Sequence, residues 1–122
     1  MAERDIEKRT FEFSLRIVRL CKAMEKDSVG RILMNQVLRA GTSIGANVEE
    51  AQGAQSKADF VAKMSIVRKE ARETHYWLRI IAEAGLQPSE RMAPLIQEAD
   101  EIMKIVSAII VSARRTFLKD KG

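Results

Sequence analysis

Ser43, Asn47 and Glu50 recur at steps of four and three, so a helix through them sets a hydroxyl, an amide and a carboxylate along one face. Such a row either binds a ligand or partner, or satisfies a neighbouring helix through buried hydrogen bonds that fix register. Nucleophilic catalysis fits poorly, because Ser43 has neither His nor Lys three or four residues away to serve as its base. The only histidine, His75, has Arg72 where the Glu-x-x-His pair of a di-iron bundle needs a glutamate. Gly41-x-x-x-Gly45 lies inside a helical period, follows no strand and lacks the Gly-Lys-Ser/Thr ending of a phosphate loop. No catalytic, cofactor or metal site is therefore expected, and the chain reads as a non-enzyme. Glu50, Glu70 and Glu73 are the one titratable cluster in which catalysis would be sought.

Two further groups carry possible binding chemistry. Tyr76 and Trp77 are the only residues of their kinds and stand together within Arg68-Lys-Glu-Ala-Arg-Glu-Thr-His-Tyr-Trp-Leu-Arg79. Amphipathic aromatics favour interfaces, so the pair is a candidate subunit contact with core-edge packing as the alternative. Arg114, Arg115, Lys119 and Lys121 give residues 114–122 a charge of +3 out of a net +4. Arg115 and Lys119 are four apart on one helical face, and phosphate contacts from this end would support weak, sequence-tolerant RNA binding. Elsewhere both signs are interspersed, as on an ordinary solvated helical surface.

The elements that position these residues are helices. Ile6, Phe13, Ile17, Leu20 and Met24 keep helical spacing, and Asp27 or Ser28 then caps a second helix from about Val29 to Gly53. Its apolar positions Leu33, Val37, Ala40, Ile44, Val48 and Ala51 carry the helix straight through Gly41 and Gly45. Each mid-helix glycine costs about 1 kcal/mol relative to alanine, which predicts either a backbone packed closely against a neighbouring helix or a buried polar contact that no larger residue would permit. Ser56 and Asp59 resemble a capping box at the head of a third helix, whose core face is Phe60, Met64, Val67, Ala71, Thr74, Leu78 and Ile81. Gly85 ends it, and a fourth helix starts between Ser89 and Pro94, because proline is tolerated only in the first turn or else ends a short preceding turn. Its face is Leu95, Ala99, Ile102, Val106, Ile109, Ala113 and Phe117. Short connections make sequential neighbours antiparallel, so the fold class is all-α, an up-down-up-down antiparallel four-helix bundle forming one domain over residues 1–122.

At 122 residues one core suffices without staples. The lone Cys21 lies in an apolar run and reads as a small buried hydrophobe. The charged N-terminus lacks the apolar region of a signal peptide, and the longest apolar run, Ala108-Ile-Ile-Val111, is too short to span a bilayer. A cytoplasmic location without membrane contact is expected.

The run from Asn35 to Gln52, then Ser56-Lys-Ala-Asp-Phe60, then Lys69 to Leu78, closely resembles the bacterial four-helix-bundle proteins called 23S rRNA intervening-sequence proteins. The likeness covers nearly the whole chain, with matching motif positions at Ser43, Gly45, Asn47, Glu50, Ser56, Lys57, Phe60, Glu70, Glu73 and Trp77. It implies a small antiparallel bundle that assembles as a homopentamer, with Gly41, Gly45, Tyr76 and Trp77 as candidate interface residues. A related branch, the accessory variability determinant of diversity-generating retroelements, implies nucleic acid and a reverse transcriptase as possible partners. This chain's mixed surface charge differs from that branch. A non-enzymatic oligomer that binds RNA is the leading expectation, and a protein-interaction scaffold or reverse-transcriptase accessory is the alternative.

Overall fold

A computed structural model describes the backbone of residues 2–121 and the side chains of residues 6–116. Four helices follow in order, α1 (Ala2–Ala23), α2 (Ser28–Gln52), α3 (Lys57–Glu83) and α4 (Ser89–Lys121). α1 packs on α2 and α4, and α3 packs on α2 and α4, while among the described residues the diagonal pairs make no close backbone approach. This square of antiparallel neighbours is the predicted bundle.

Local chemistry sets the helix ends. Asp27 caps α2 by accepting from the Gly30 amide at 2.7 Å, and Ser56 caps α3 by accepting from the Asp59 amide at 3.0 Å. The Asp59 carboxylate is a carbon shorter than the usual glutamate and accepts from the Gln55 amide at 3.2 Å, so the reciprocal half of the box lands one residue early. Gly85 takes φ +73 beyond α3, and its amide and that of Leu86 donate to the Ala82 and Ile81 carbonyls at 3.1 and 3.0 Å. Those two bonds form a Schellman end, which requires the left-handed residue.

α4 starts at Ser89, within the expected range, and differs in one respect: it runs on through Pro94, which lies beyond its first turn. Pro94 lies near the exposed helix start, where water can take the carbonyl that its missing N–H leaves unpaired.

The core follows the helical periods. All five expected α1 positions are buried, as are Val37, Ala40, Ile44, Val48 and Ala51 of α2 and the α3 positions from Met64 to Ile81. Leu33, Phe60 and Ala113 sit half-buried at its edge, and the Phe117 side chain lies outside the described residues. Thr10 and Thr74 are buried polar additions, each satisfied by donating 2.7 Å to a carbonyl one turn back, Ile6 O and Glu70 O. Cys21 is buried, with its thiol 3.7 Å from the Met34 carbonyl. Burial pushes that thiol's pKa up, opposed in part by the Lys26 charge.

Candidate assembly and nucleic-acid surfaces

Gly41 and Gly45 of α2 face α1. A Cβ at Gly41 would lie 2.9 Å from both γ-carbons of Ile17, and one at Gly45 would lie 3.1 Å from Ser14 Oγ and 3.2 Å from the Thr10 carbonyl oxygen. Both glycines are buried within the chain, so close α1–α2 packing accounts for them without a second subunit. Gly30, which no periodic signal singles out, is tighter: its Cβ would meet the Glu25 carbonyl oxygen at 2.0 Å.

The opposite flank of α2 faces α3, and here the polar stripe behaves differently from the expected inter-helix network. Ser43 Oγ donates to the Ala40 carbonyl at 3.0 Å and Asn47 Nδ2 donates to the Ser43 carbonyl at 2.8 Å, both within α2. Glu50 is exposed near the helix end. Short side chains reach their own helix first, because the carbonyls three and four residues back are within range at almost no cost in rotamer freedom. Arg39 makes the crossing instead, pairing with Glu73 and lying 3.4 Å from Glu70. Glu73 also accepts from the Trp77 indole at 3.1 Å. Trp77 thereby sits half-buried beside the α2–α3 seam, and Tyr76, edge-on to it at 5.1 Å, is 48% exposed. The candidate pair therefore divides: one ring serves the bundle's edge, the other meets solvent.

Arginines divide in the same way. Arg9 on α1 bonds Glu98 at 2.6 Å and approaches Glu101 at 3.4 Å on α4. The Glu98 hydrogen bond raises the guanidinium's pKa further, against the desolvation that opposes it. Arg68, Arg72 and Arg79, at steps of four and seven, share another flank of α3 and form no ion pair among the described residues. Arg79 lies over the Tyr76 ring with 6.0 Å from Cζ to its centroid. Sequence reasoning did not select this stripe, because Glu70 and Glu73 are interleaved with it and make the segment look neutral. A helical projection turns those carboxylates toward α2 and separates the charges.

At the basic end, Arg114 and Arg115 are exposed and unpaired among the described residues. The side chains of Lys119 and Lys121 lie outside the described residues.

Apolar surface also reaches the exterior, on α1 and beside α4 among other places. Phe11, Leu15 and Val18 form a stripe on α1 with exposures of 61, 40 and 38%. A groove of about 770 Å³ lies between the α2–α3 connection and the C-terminal half of α4, with Phe60, Ile105, Ile109 and Ala113 among its lining. Among the described residues, no helix is long and apolar enough to cross a membrane.

The model of the 23S rRNA-intervening sequence protein family matches residues 2–108. The chain belongs to that family. A solved structure from Bacteroides thetaiotaomicron, a protein of unknown function from the S23 ribosomal protein family, is 38% identical with a TM-score of 0.85. The similarity covers 90% of this chain and 98% of that one. No curated protein matches. The family resemblance read from the central glycine-bearing motif is thus confirmed, and the four-helix fold is shared with a solved relative.

Proposed function

We propose that this family member is a non-enzymatic, cytoplasmic, homo-oligomeric bundle, a pentamer on the family resemblance, that binds RNA through arginine surfaces repeated around the assembly. The observation that carries the RNA reading is the stripe of Arg68, Arg72 and Arg79 on α3, unpaired among the described residues and bordered by exposed Tyr76. Arg9 and Arg39 spend their charge on carboxylates of neighbouring helices, whereas this stripe keeps guanidinium groups free for phosphate. Tyr76 adds a face on which an unpaired base can stack, the mode by which single strands are held without sequence preference. Several modest patches on one oligomer combine by multivalency, so a small net charge per chain is compatible with useful affinity.

Titration of single-stranded RNA against wild type, Arg68→Ala/Arg72→Ala/Arg79→Ala and Arg114→Ala/Arg115→Ala at two salt concentrations tests this. Removing one phosphate-binding guanidinium should reduce the log–log salt slope by about 0.7. The α3 variant is expected to lose more affinity than the α4 variant. Equal affinity and slope for all three proteins would remove these arginines from RNA binding, and absence of salt-sensitive binding by wild type would remove RNA from the function. A protein-interaction scaffold is the second reading, favoured by the exposed α1 stripe, because contiguous exposed apolar side chains on a small domain mark interaction sites.

A further inference from the structure

The arginine stripe of α3 ends in a small depression. Tyr76, Arg79, Ile80, Glu83 and Ala84, at steps of three and four over the last turns of α3 and its C-cap, line a pocket of about 210 Å³. That is below the roughly 300–1,000 Å³ of a drug-sized site, so the pocket suits one planar ring system rather than a larger ligand. Tyr76 is buttressed: Trp77 stands edge-on to it at 5.1 Å with 72° between the rings, and the Trp77 indole is itself fixed by Glu73. Arg79 Cζ lies 6.0 Å from the Tyr76 ring centroid, farther than the roughly 3.5–4.0 Å of direct contact, so the guanidinium stands off the ring centre. Ile80, 37% exposed, and Ala84 add apolar surface beside the ring.

Charge decides which part of a nucleotide the pocket receives. Arg79 and Glu83 are four apart, yet they form no ion pair, and Glu83 has no hydrogen-bond partner among the described residues. Arginine ahead of glutamate is the weaker order for such a pair. Glu83 therefore keeps two acceptor oxygens, and it stands at the negative end of the α3 dipole. A phosphate is repelled from that end, whereas N–H donors are favoured. Guanine is the standard base whose Watson–Crick edge sets two N–H donors side by side, at N1 and N2, to match the two oxygens of a carboxylate. Adenine and cytosine offer one amino group beside a ring acceptor, and uracil one N–H between two carbonyls. Exposed Arg72, one turn before Tyr76 on the same face, is placed for the phosphate.

We infer that this pocket holds one guanine base of a single-stranded RNA, stacked on Tyr76 and donating N1–H and N2–H to Glu83, with Arg72 and Arg79 on the flanking phosphates. This assignment rests on the RNA reading and adds a base preference to it. Stacking on an aromatic ring with hydrogen bonds to the Watson–Crick edge is how unpaired bases are told apart.

Oligouridylate strands carrying one central guanine, inosine, adenine or cytosine, titrated against wild type, Glu83→Gln and Tyr76→Ala, test the pocket; both substituted residues are exposed, so neither replacement enters the core. Wild type should bind the guanine strand at least about fivefold more tightly than the other three, inosine among them because it lacks the N2 amine. Glu83→Gln removes a negative charge and raises affinity for every strand, so the ratio between strands is the readout. That ratio should fall to near one, because an amide replaces one of the two acceptors with a donor. Tyr76→Ala should weaken the guanine strand at least about fivefold through the lost stack. Absence of salt-sensitive binding to any strand by wild type would overturn both the RNA reading and this pocket. Salt-sensitive binding with equal affinity for the four strands, or a guanine preference that survives Glu83→Gln, would overturn the pocket and leave RNA binding standing. Displacement of the guanine strand by an equal concentration of guanosine monophosphate would make the ligand a free nucleotide and overturn its assignment to RNA.

Discussion

The two flanks of α2 reach their neighbours by opposite means. Toward α1 the side chains disappear, with Gly41 against Ile17 and Gly45 against the Thr10 backbone. Toward α3 one of the longest side chains available, Arg39, spans the gap to Glu70 and Glu73 from a position 52% exposed. The first seam is a fixed distance between packed surfaces, and close-packed interiors resist the addition of even a methyl group. The second is a flexible, hydrated tether whose charges are screened. A single helix therefore carries one intolerant flank and one tolerant one.

The most severe way to break the α1 flank is Gly41→Leu, because the γ-carbons of Ile17 belong to a β-branched, fully buried side chain that cannot swing aside. Overpacking of this kind is expected to destabilise by about 3 kcal/mol, or roughly 10 °C in Tm, read by thermal denaturation. If Gly41→Leu melts with wild type, the seam is looser than its geometry and the contrast between flanks fails.

Arg39→Ala comes next on the tolerant flank. Exposed ion pairs contribute about 0.2–1 kcal/mol, so urea denaturation should show a loss within that range that shrinks in high salt. A loss as large as that of Gly41→Leu would make the tether as structural as the seam.

Gly45→Ala and Asn47→Leu sharpen the comparison at its small end. The contacts at Gly45 are only tight, at 3.1 and 3.2 Å, and alanine's helix propensity offsets the displacement, so a change within about 0.5 kcal/mol is expected. Asn47 bonds its own helix, and leucine there should be similarly neutral because the Ser43 carbonyl keeps its helical partner. A loss above about 2 kcal/mol in Asn47→Leu would show that the amide serves the α3 seam after all.

Cys21 reports locally on the intolerant flank. Its thiol faces the Met34 carbonyl of α2, and burial raises its pKa, which keeps the reactive thiolate scarce. Native-state thiol labelling should be slow, accelerated by Gly41→Leu and unaffected by Arg39→Ala. Equal acceleration by both would mean that the seams open together.

Much of this architecture was legible in the chain because helical order is local. The steps of three and four from Ile6 to Met24 and from Met64 to Ile81 identified buried positions, since only one face of each helix can meet the core. Asp27, Ser56 and Gly85 marked ends because their chemistry satisfies backbone groups a few residues away. The candidate surfaces were less legible. Periodicity groups Ser43 with Asn47, but whether they bond across the seam or back to α2 depends on the distance to α3.

By itself, then, the sequence determined four helices, their antiparallel order, their core faces and the family motif, all fixed by short-range spacing and the entropy of short connections. Tertiary structure alone decided that Gly41 and Gly45 serve α1, that Ser43 and Asn47 bond back to α2 and not across to α3, and that the α1 stripe stays uncovered within the chain. These outcomes depend on how far apart the helix axes lie and how each helix is rotated about its own axis. Those quantities arise from packing all four faces at once, and no window of neighbouring residues contains them.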